Sequence, residues 1–429
     1  MSFSKKTIQD IELAGKRVLL RADYNVPLSD KGEITDDYRL QQSLPTLHYL
    51  LQQGASVVVC SHLGRPEGKV NAKESLFPVA KQLQKLLGVE VEFATDCVGE
   101  RAEKAAEGLK PGQVLLLENL RFHPEEEAND DGFAQQLAKL AEVFVQDGFG
   151  VVHRAHASTD AVTRHLPSVA GLLLEHEVDT ITSVVENPKR PLVAVIGGAK
   201  IADKIEVLQK LISVADVVAV GGAMANTFLQ ATGKRIGKSK TEASDVPLAR
   251  EIIELARAEK DKRNFVFYLP QDGVVASKVD SHARTRLVDW GTHAIADIEA
   301  YPRRPDPDAS KVADDEMILD IGPFSGAFIA GAIQLAGTVI WNGAMGVTET
   351  RGVQSPVGPT AHGTEIIMEA MLGEFGNRPY SLVGGGDTVG FVEDCGMIKS
   401  FNHVSTGGGA SLELLAGRKL PGVEALENK

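Results

Sequence analysis

Residues 192–205 read LVAVIGGAKIADKI. The first five form an unbroken apolar run rich in Val, the pattern of a strand buried on both faces. Gly197 and Gly198 break that run. From Ala199 the spacing predicts a helix, with Ile201, Ile205 and Leu208 on one face. Lys200 and Lys204, four residues apart, fall together on another face. A helix start presents free N–H groups and partial positive charge, and two lysines add to it, so the stretch suits an anion such as phosphate. A plain strand–turn–helix with two solvated lysines would read the same way. The stretch is neither a Walker A motif nor a GxGxxG fingerprint, so the rest of the chain has to decide.

The same unit recurs downstream. Residues 217–220 precede Gly221 and Gly222; residues 339–341 precede Asn342, Gly343, Ala344, Met345 and Gly346. Leu382 and Val383 precede Gly384, Gly385, Gly386, Asp387 and Thr388, and residues 403–405 precede Thr406, Gly407, Gly408 and Gly409, with a helix expected from Leu412. Each glycine cluster lets backbone amides approach a ligand that a Cβ would exclude. Five such turns on one edge of an expected parallel sheet point to a polyphosphate cradle. Asp387 is then a candidate Mg²⁺ ligand, and it could equally cap the helix that follows.

In the first half the strands end in basic residues instead. Residues 17–20 lead into Arg21, Asp23 and Asn25; residues 56–60 lead into His62 and Arg65. Residues 114–117 lead into Arg121, and residues 143–145 lead towards Arg154. Arg39 opens an expected helix whose core stripe is Leu40, Leu44 and Leu47. Helical segments alternate with these strands, which predicts a doubly wound parallel sheet whose ligand crevice lies beyond the strands' carboxyl ends. A guanidinium suits bidentate pairing with carboxylate or phosphate. His123, His153, His156 and His165 are expected to be surface or hydrogen-bonding histidines, since their spacing matches no zinc signature.

The architecture expected is α/β: two doubly wound, Rossmann-like parallel-sheet domains joined by a hinge helix. Residues 1–170 form the first domain, 171–186 the connector and 187–405 the second. The connector reads as a helix that meets Asn187-Pro188 and Pro191. Residues 301–314, rich in Pro, Asp and Arg, read as an exposed loop.

Bulk composition narrows the function. At 429 residues the chain has room for two or three domains, and 43% hydrophobic with 24% charged residues is ordinary for a soluble globular protein. A net charge of −13 argues against nucleic-acid and membrane-surface partners, which require a basic face. Three dispersed cysteines without a CxxC fit a reducing compartment and speak against a disulfide framework or a Cys-based zinc site. No secretory leader or spanning segment is legible, so a cytoplasmic location is expected.

Taken in order, RADYNVP, SHLGRP, LENLRFH, HRAHAST, GGAKIADKI, WNGAMGV, GGGDT and STGGGAS closely resemble phosphoglycerate kinases. The resemblance implies a two-domain, hinge-bending kinase, monomeric, with residues 406–429 returning to the N-terminal domain. The implied reaction is reversible phosphoryl transfer between 1,3-bisphosphoglycerate and MgADP, giving 3-phosphoglycerate and MgATP. By motif, Asp23, Asn25, Arg39, His62, Arg65, Arg121 and Arg154 match the family's 3-phosphoglycerate site. Lys200, Lys204, Asn342, Glu349 and Asp387 match its nucleotide and metal positions. Arg39, Lys204 and the amides of Gly407, Gly408 and Gly409 would surround the transferring group. Ala344 and Thr348 stand where the family usually has Pro and Phe, and Phe324 where a polar or basic residue is usual. A non-catalytic nucleotide or phosphoglycerate sensor of the same fold would be expected to lose a transfer residue, and Arg39, Lys204 and Asp387 are all present. A dinucleotide-dependent dehydrogenase is weaker still, for want of GxGxxG.

Overall fold

The computed structural model describes residues 3–290, 311–352, 355 and 357–429. The chain divides into two compact units, Met1–Thr182 with Arg418–Lys429, and Ser183–Gly417. The segment expected to return to the first domain therefore splits: 418–429 belong to the first unit and 406–417 to the second. Most of the 301–314 loop lies outside the described residues.

The first unit is built on six parallel strands: β1 (Arg17–Arg21), β2 (Ser56–Cys60), β3 (Val91–Ala94), β4 (Val114–Leu117), β5 (Val143–Gln146) and β6 (Ser168–Ala170). Their order is β3-β4-β2-β1-β5-β6, with β1 in parallel register against both β2 and β5. Both faces are covered, so β2, β4 and β5 are buried throughout and read as apolar runs instead of alternations. Leu40, Leu47 and Leu50 of the helix Tyr38–Gln52 pack on Val18, Leu20, Val57 and Val59 in the core. The chain first builds outward from β1 towards β2 and later resumes on its other side with β5. The switch point, where an open α/β sheet leaves a crevice, thus lies between β1 and β5.

The helix Leu172–Glu186 leaves the end of β6. Its first amides are held by a buried carboxylate: Leu173 N and Leu174 N donate to Asp147 Oδ1 at 3.0 and 3.2 Å. A Cβ at Gly171 would lie 2.1 Å from that same oxygen, so the approach needs glycine. Burial pushes the Asp147 carboxyl up to about 7, although Thr46 and the two amides pull the other way. The native state therefore holds a proton that the unfolded chain loses near pH 4. Stability contributed by this proton is complete below about pH 4 and disappears as pH rises through about 7. Asp147→Asn keeps an acceptor but removes the titration, and should flatten the Tm–pH profile between those limits.

In the second unit the parallel strands are β7 (Leu192–Ile196), β8 (Val217–Val220), β9 (Val266–Tyr268), β13 (Thr338–Asn342), β14 (Tyr380–Gly384) and β15 (His403–Val404), ordered β15-β14-β13-β7-β8-β9. Between them in sequence, β10 (Asp272–Ala276), β11 (Arg286–Asp289) and β12 (Met317–Ile321) form a separate antiparallel sheet in the order β11-β10-β12. Sequence periodicity did not reveal this sheet, because its strands lie either side of the polar loop. In the large sheet the switch point falls between β7 and β13.

Two helix starts differ from expectation. The helix after β7 begins at Ile205, not Ala199. Gly198 adopts φ 132°, Lys204 N closes a turn onto Ile201 O at 2.9 Å, and Ala202 N donates to Asp245 Oδ2 at 3.2 Å. Ile201 is buried, but as a loop anchor, and its burial mimicked a helical spacing. Lys200 and Lys204 therefore do not share a helix face. Conversely, the last helix of the second unit starts earlier than Leu412, spanning Gly408–Leu415 with Gly407 at its N-cap. Gly408 and Gly409 thus form its first turn. No described helix is long and apolar enough to cross a membrane.

Candidate active site

The carboxyl edge of the first sheet carries a linked set of charged side chains. Arg39 Nη1 donates to Asp23 Oδ2 at 2.5 Å. Asp23 Oδ1 lies 3.8 Å from His62 Nδ1, and Arg21 Nη2 lies 3.3 Å from the same nitrogen. Burial would raise the Asp23 carboxyl, but the guanidinium groups of Arg39 and Arg21 outweigh it and hold it below its usual value. His62 is held well below its usual value by burial, with Arg21, Arg121 and Arg39 acting in the same direction against Asp23. It is therefore a neutral imidazole. Arginine can only donate, so Nδ1 is the acceptor and the proton sits on Nε2.

Asn25 Oδ1 accepts from Gly64 N at 2.9 Å, tying the β1 turn to the β2 turn. Arg121, 5% exposed, donates to Gly64 O at 2.9 Å and pairs with Glu127 at 3.2 Å. Arg65 is fixed through its backbone, whose N–H meets Glu74 Oε1 at 2.8 Å. Arg154 is exposed, its Nε donating to His153 Nε2 at 3.1 Å. The arginines act on a common region. His156 is pushed down to about 4 by burial first and then by Arg21, Arg121, Arg154 and His153. Three guanidinium groups of this edge thus act on one histidine, in a chain whose net charge is −13.

Beneath this edge lie Arg21, one of the basic residues expected at the strand ends, and Glu126, which the sequence did not single out. Arg21 is buried and donates to Ser158 Oγ at 2.8 Å. Ser158 Oγ in turn donates to Glu126 Oε1 at 2.6 Å, and Ser158 N to Glu126 Oε2 at 2.9 Å. Glu126 is fully buried. It sits in a run of three glutamates, 125–127, in which no local signal distinguishes the buried member.

At the switch point of the second sheet Lys204 reaches back across the glycine turn. Its Nζ donates to Gly197 O at 2.6 Å, Asn342 O at 2.9 Å and Asn342 Oδ1 at 2.7 Å. Burial pushes this ammonium down to about 8, while Asp387 and Asp203 act to raise it. Asn342 Nδ2 is buried and has no hydrogen-bond partner among the described residues. Its neighbour Gly343 donates N–H to Thr388 Oγ1 at 2.7 Å. The glycine turns sit backbone against backbone: a Cβ on Gly343 would come within 2.3 Å of Gly197. Gly385, at φ 88°, caps the helix Gly386–Asp394, so Asp387 lies in its first turn and is not its cap. Gly384 and Gly385 lie against the Asn342 amide, where a Cβ would stand 3.1 and 3.0 Å from it.

Beside this knot is a cavity of about 230 Å³ whose lining includes Gly222, Asp272, Trp290, Asp320, Glu349 and Asp387. Gly221 sits just before it, at the N-cap of the helix Gly222–Ala231. Burial, with Asp272 nearby, raises the Asp320 carboxyl to about 8. The Trp290 indole N–H is buried without a partner among the described residues. Lys200 instead forms an exposed pair with Glu242 at 3.3 Å. Trp290, Asp272 and Asp320 escaped the sequence reading because they belong to or adjoin the antiparallel strands it did not detect.

The first unit thus gathers basic side chains along the carboxyl edge of its parallel sheet, and the second sets Lys204 and its glycine turns at the switch point of another, an arrangement suited to a two-unit α/β phosphate-handling protein. The sequence matches the phosphoglycerate kinase family over residues 8–418. It is 49% identical over 426 residues to a phosphoglycerate kinase of Moorella thermoacetica, covering 99% of this chain and 100% of that one. It is 46% identical over 433 residues to one of Koribacter versatilis, covering 99% and 100% respectively. Among solved structures, the phosphoglycerate kinase of Coxiella burnetii superposes with a TM-score of 0.80 at 36% identity, covering 98% of each chain. The chain belongs to the phosphoglycerate kinase family.

Proposed function

We infer that the protein is an ATP:3-phosphoglycerate 1-phosphotransferase, with the basic edge of the first unit binding the phosphoglycerate and the second unit binding the nucleotide. The observation that carries this reading is the Lys204 ammonium, half-buried and ringed by three oxygens at 2.6–2.9 Å at the β7/β13 switch point. A cation is kept in that environment at a cost, and a phosphate beside it would supply the missing countercharge.

Asp23, Asn25, His62, Arg65, Arg121 and Arg154, together with Arg39, would hold the phosphate and carboxylate of 3-phosphoglycerate. The Nε2–H of His62 is a donor free to meet an anion. On the nucleotide side, Lys200, Lys204, Gly221, Gly222, Asn342, Glu349, Gly384, Gly385, Gly386, Asp387 and Thr388 would line the polyphosphate and ribose. The orphaned Nδ2 of Asn342 fits a phosphate oxygen. Asp387, in the first turn of a helix, fits a Mg²⁺ ion carried in on the nucleotide; the ion would neutralise phosphate charge.

In the ATP-consuming direction a carboxylate oxygen of 3-phosphoglycerate attacks the γ-phosphorus. The bond to the bridging oxygen breaks, and ADP leaves. The attacking oxygen is already ionised, so no general base is required. On the first unit Arg39 would offset charge on the phosphoglycerate. On the second, Lys204 would offset charge on the transferring group and the first-turn amides of Gly408 and Gly409 would donate to its oxygens, while that of Gly407 is given to Ser405 Oγ at 3.2 Å.

The test is trapping of the acyl phosphate with hydroxylamine. The expected result is hydroxamate that requires 3-phosphoglycerate, ATP and Mg²⁺ together. Binding of both substrates without hydroxamate would instead make the protein a sensor of the same fold.

A further inference from the structure

Three side chains outside the substrate-facing set meet beyond the outer strands of the first sheet. Asp96 and Cys97 follow β3, and His123 follows the short turn Leu120–Phe122 after β4. His123 Nε2 lies 2.7 Å from Asp96 Oδ1. One carboxylate oxygen, the Cys97 sulfur and one imidazole nitrogen all lie within 4.8 Å of one another. A tetrahedral zinc site sets such atoms roughly 3.3–3.7 Å apart, from metal–ligand bonds of about 2.0–2.3 Å. Small rotamer adjustments in two partly exposed side chains span the difference.

Burial is graded in a useful way. The Cys97 thiol is fully buried and forms the floor, while the Asp96 and His123 side chains, 42% and 30% exposed, form the walls. Cys97 N donates to Asp96 Oδ1 at 2.7 Å, which restrains that carboxylate. The His123 ring is held against Phe133, with centroids 5.3 Å apart. Asp96 and Glu126 place negative charge beside the thiol. The ensemble is one soft ligand, one imidazole and one carboxylate in negative surroundings, open to solvent on one side.

We propose that Asp96, Cys97 and His123 form a binding site for a borderline-soft divalent cation of the zinc class, with water as the fourth ligand. A thiolate and an imidazole select such a cation over Mg²⁺. Binding forms metal–sulfur, metal–nitrogen and metal–oxygen bonds, and the Cys97 S–H proton is released to solvent. No electron moves. The bound ion would tie the loop after β3 to the turn after β4, which also carries Arg121. Sequence spacing cannot show the site, because its ligands come from two separate loops.

The experiment uses the full chain, reduced and stripped by a chelator, titrated with Cd²⁺ and separately with Zn²⁺. Cd²⁺ should produce a sulfur-to-metal charge-transfer band saturating at one equivalent, unaffected by excess Mg²⁺ and unchanged in Cys395→Ser. Zn²⁺ should release a proton and raise Tm. Cys97→Ser should abolish the band, and Asp96→Asn and His123→Gln should each weaken binding at least about tenfold. A full band in Cys97→Ser, or no binding at micromolar metal in the unmodified protein, overturns the proposal. If Cys97→Ser fails to fold, His123→Gln decides: unchanged affinity rejects the site. The readout needs no substrate, so it stands or falls independently of the phosphotransfer reading.

Discussion

Lys204→Ala is expected to lower kcat by about 10²–10³-fold, the usual loss when one preorganised charge-stabilising group is removed, with the KM for both substrates changed far less. The physical reason is that Nζ is already held by three oxygens at 2.6–2.9 Å. It needs little reorganisation to meet charge that develops during transfer. Arginine should not substitute well, since its planar fork cannot occupy a ring built around a compact ammonium. A second signature follows from the burial that lowers this group to about 8. The charged form is the active one, so kcat/KM should fall on the alkaline side as pH passes through about 8. Steady-state kinetics across pH check both points. Near-normal kcat in Lys204→Ala would remove the residue from the transfer step.

Arg39→Ala should be the next most damaging change, lowering kcat/KM for phosphoglycerate by about 10²-fold or more while leaving the nucleotide KM nearly unchanged. Arg39 is the first counter-charge of Asp23, which is buried. Its removal takes away a substrate cation and also leaves a buried carboxylate short of a partner, a change that destabilises by up to about 3–5 kcal/mol in fully buried pairs. The 30% exposure of Arg39 places the loss below that range. The double variant Asp23→Asn/Arg39→Ala should recover much of the stability and none of the activity. Thermal melts and kinetics on the three proteins separate the two contributions. If stability and activity returned together, Arg39 would be a structural partner only.

Much of this was legible in the sequence because parallel strands buried on both faces leave an unmistakable trace. The apolar runs 192–196 and 217–220 coincide with β7 and β8, and the glycines and arginines that follow each strand mark its carboxyl edge. What failed did so for local reasons. Ile201 has the spacing of a helical core residue but is buried in a turn, which displaced the helix start and gave Lys200 a place beside Lys204 that it does not occupy. Glu126 is hidden in a run of glutamates because burial depends on the partner Ser158, a residue far along the chain. Strands β10 to β12 carry no unbroken apolar run or regular alternation, and a polar segment separates β11 from β12, so no period emerged. Asn342 was found from its motif, yet its orphaned amide is a property of packing and has no sequence trace.

The division of the chain has a further consequence for how the protein is made. Residues 418–429 belong to the first unit, where Lys6 N meets Glu427 O at 2.8 Å and Lys5 bridges Asn428. The unit that emerges first from the ribosome is therefore finished last, after all of residues 183–417 have been synthesised. Until then its β6 edge lacks the strap that supplies Glu427 N to Ser168 O at 3.0 Å. A chain cut short at residue 182 would be missing this piece. A circular permutant joining residue 429 to residue 3 through a short linker, with new ends in an exposed loop of the second unit, would instead make the first unit continuous in sequence.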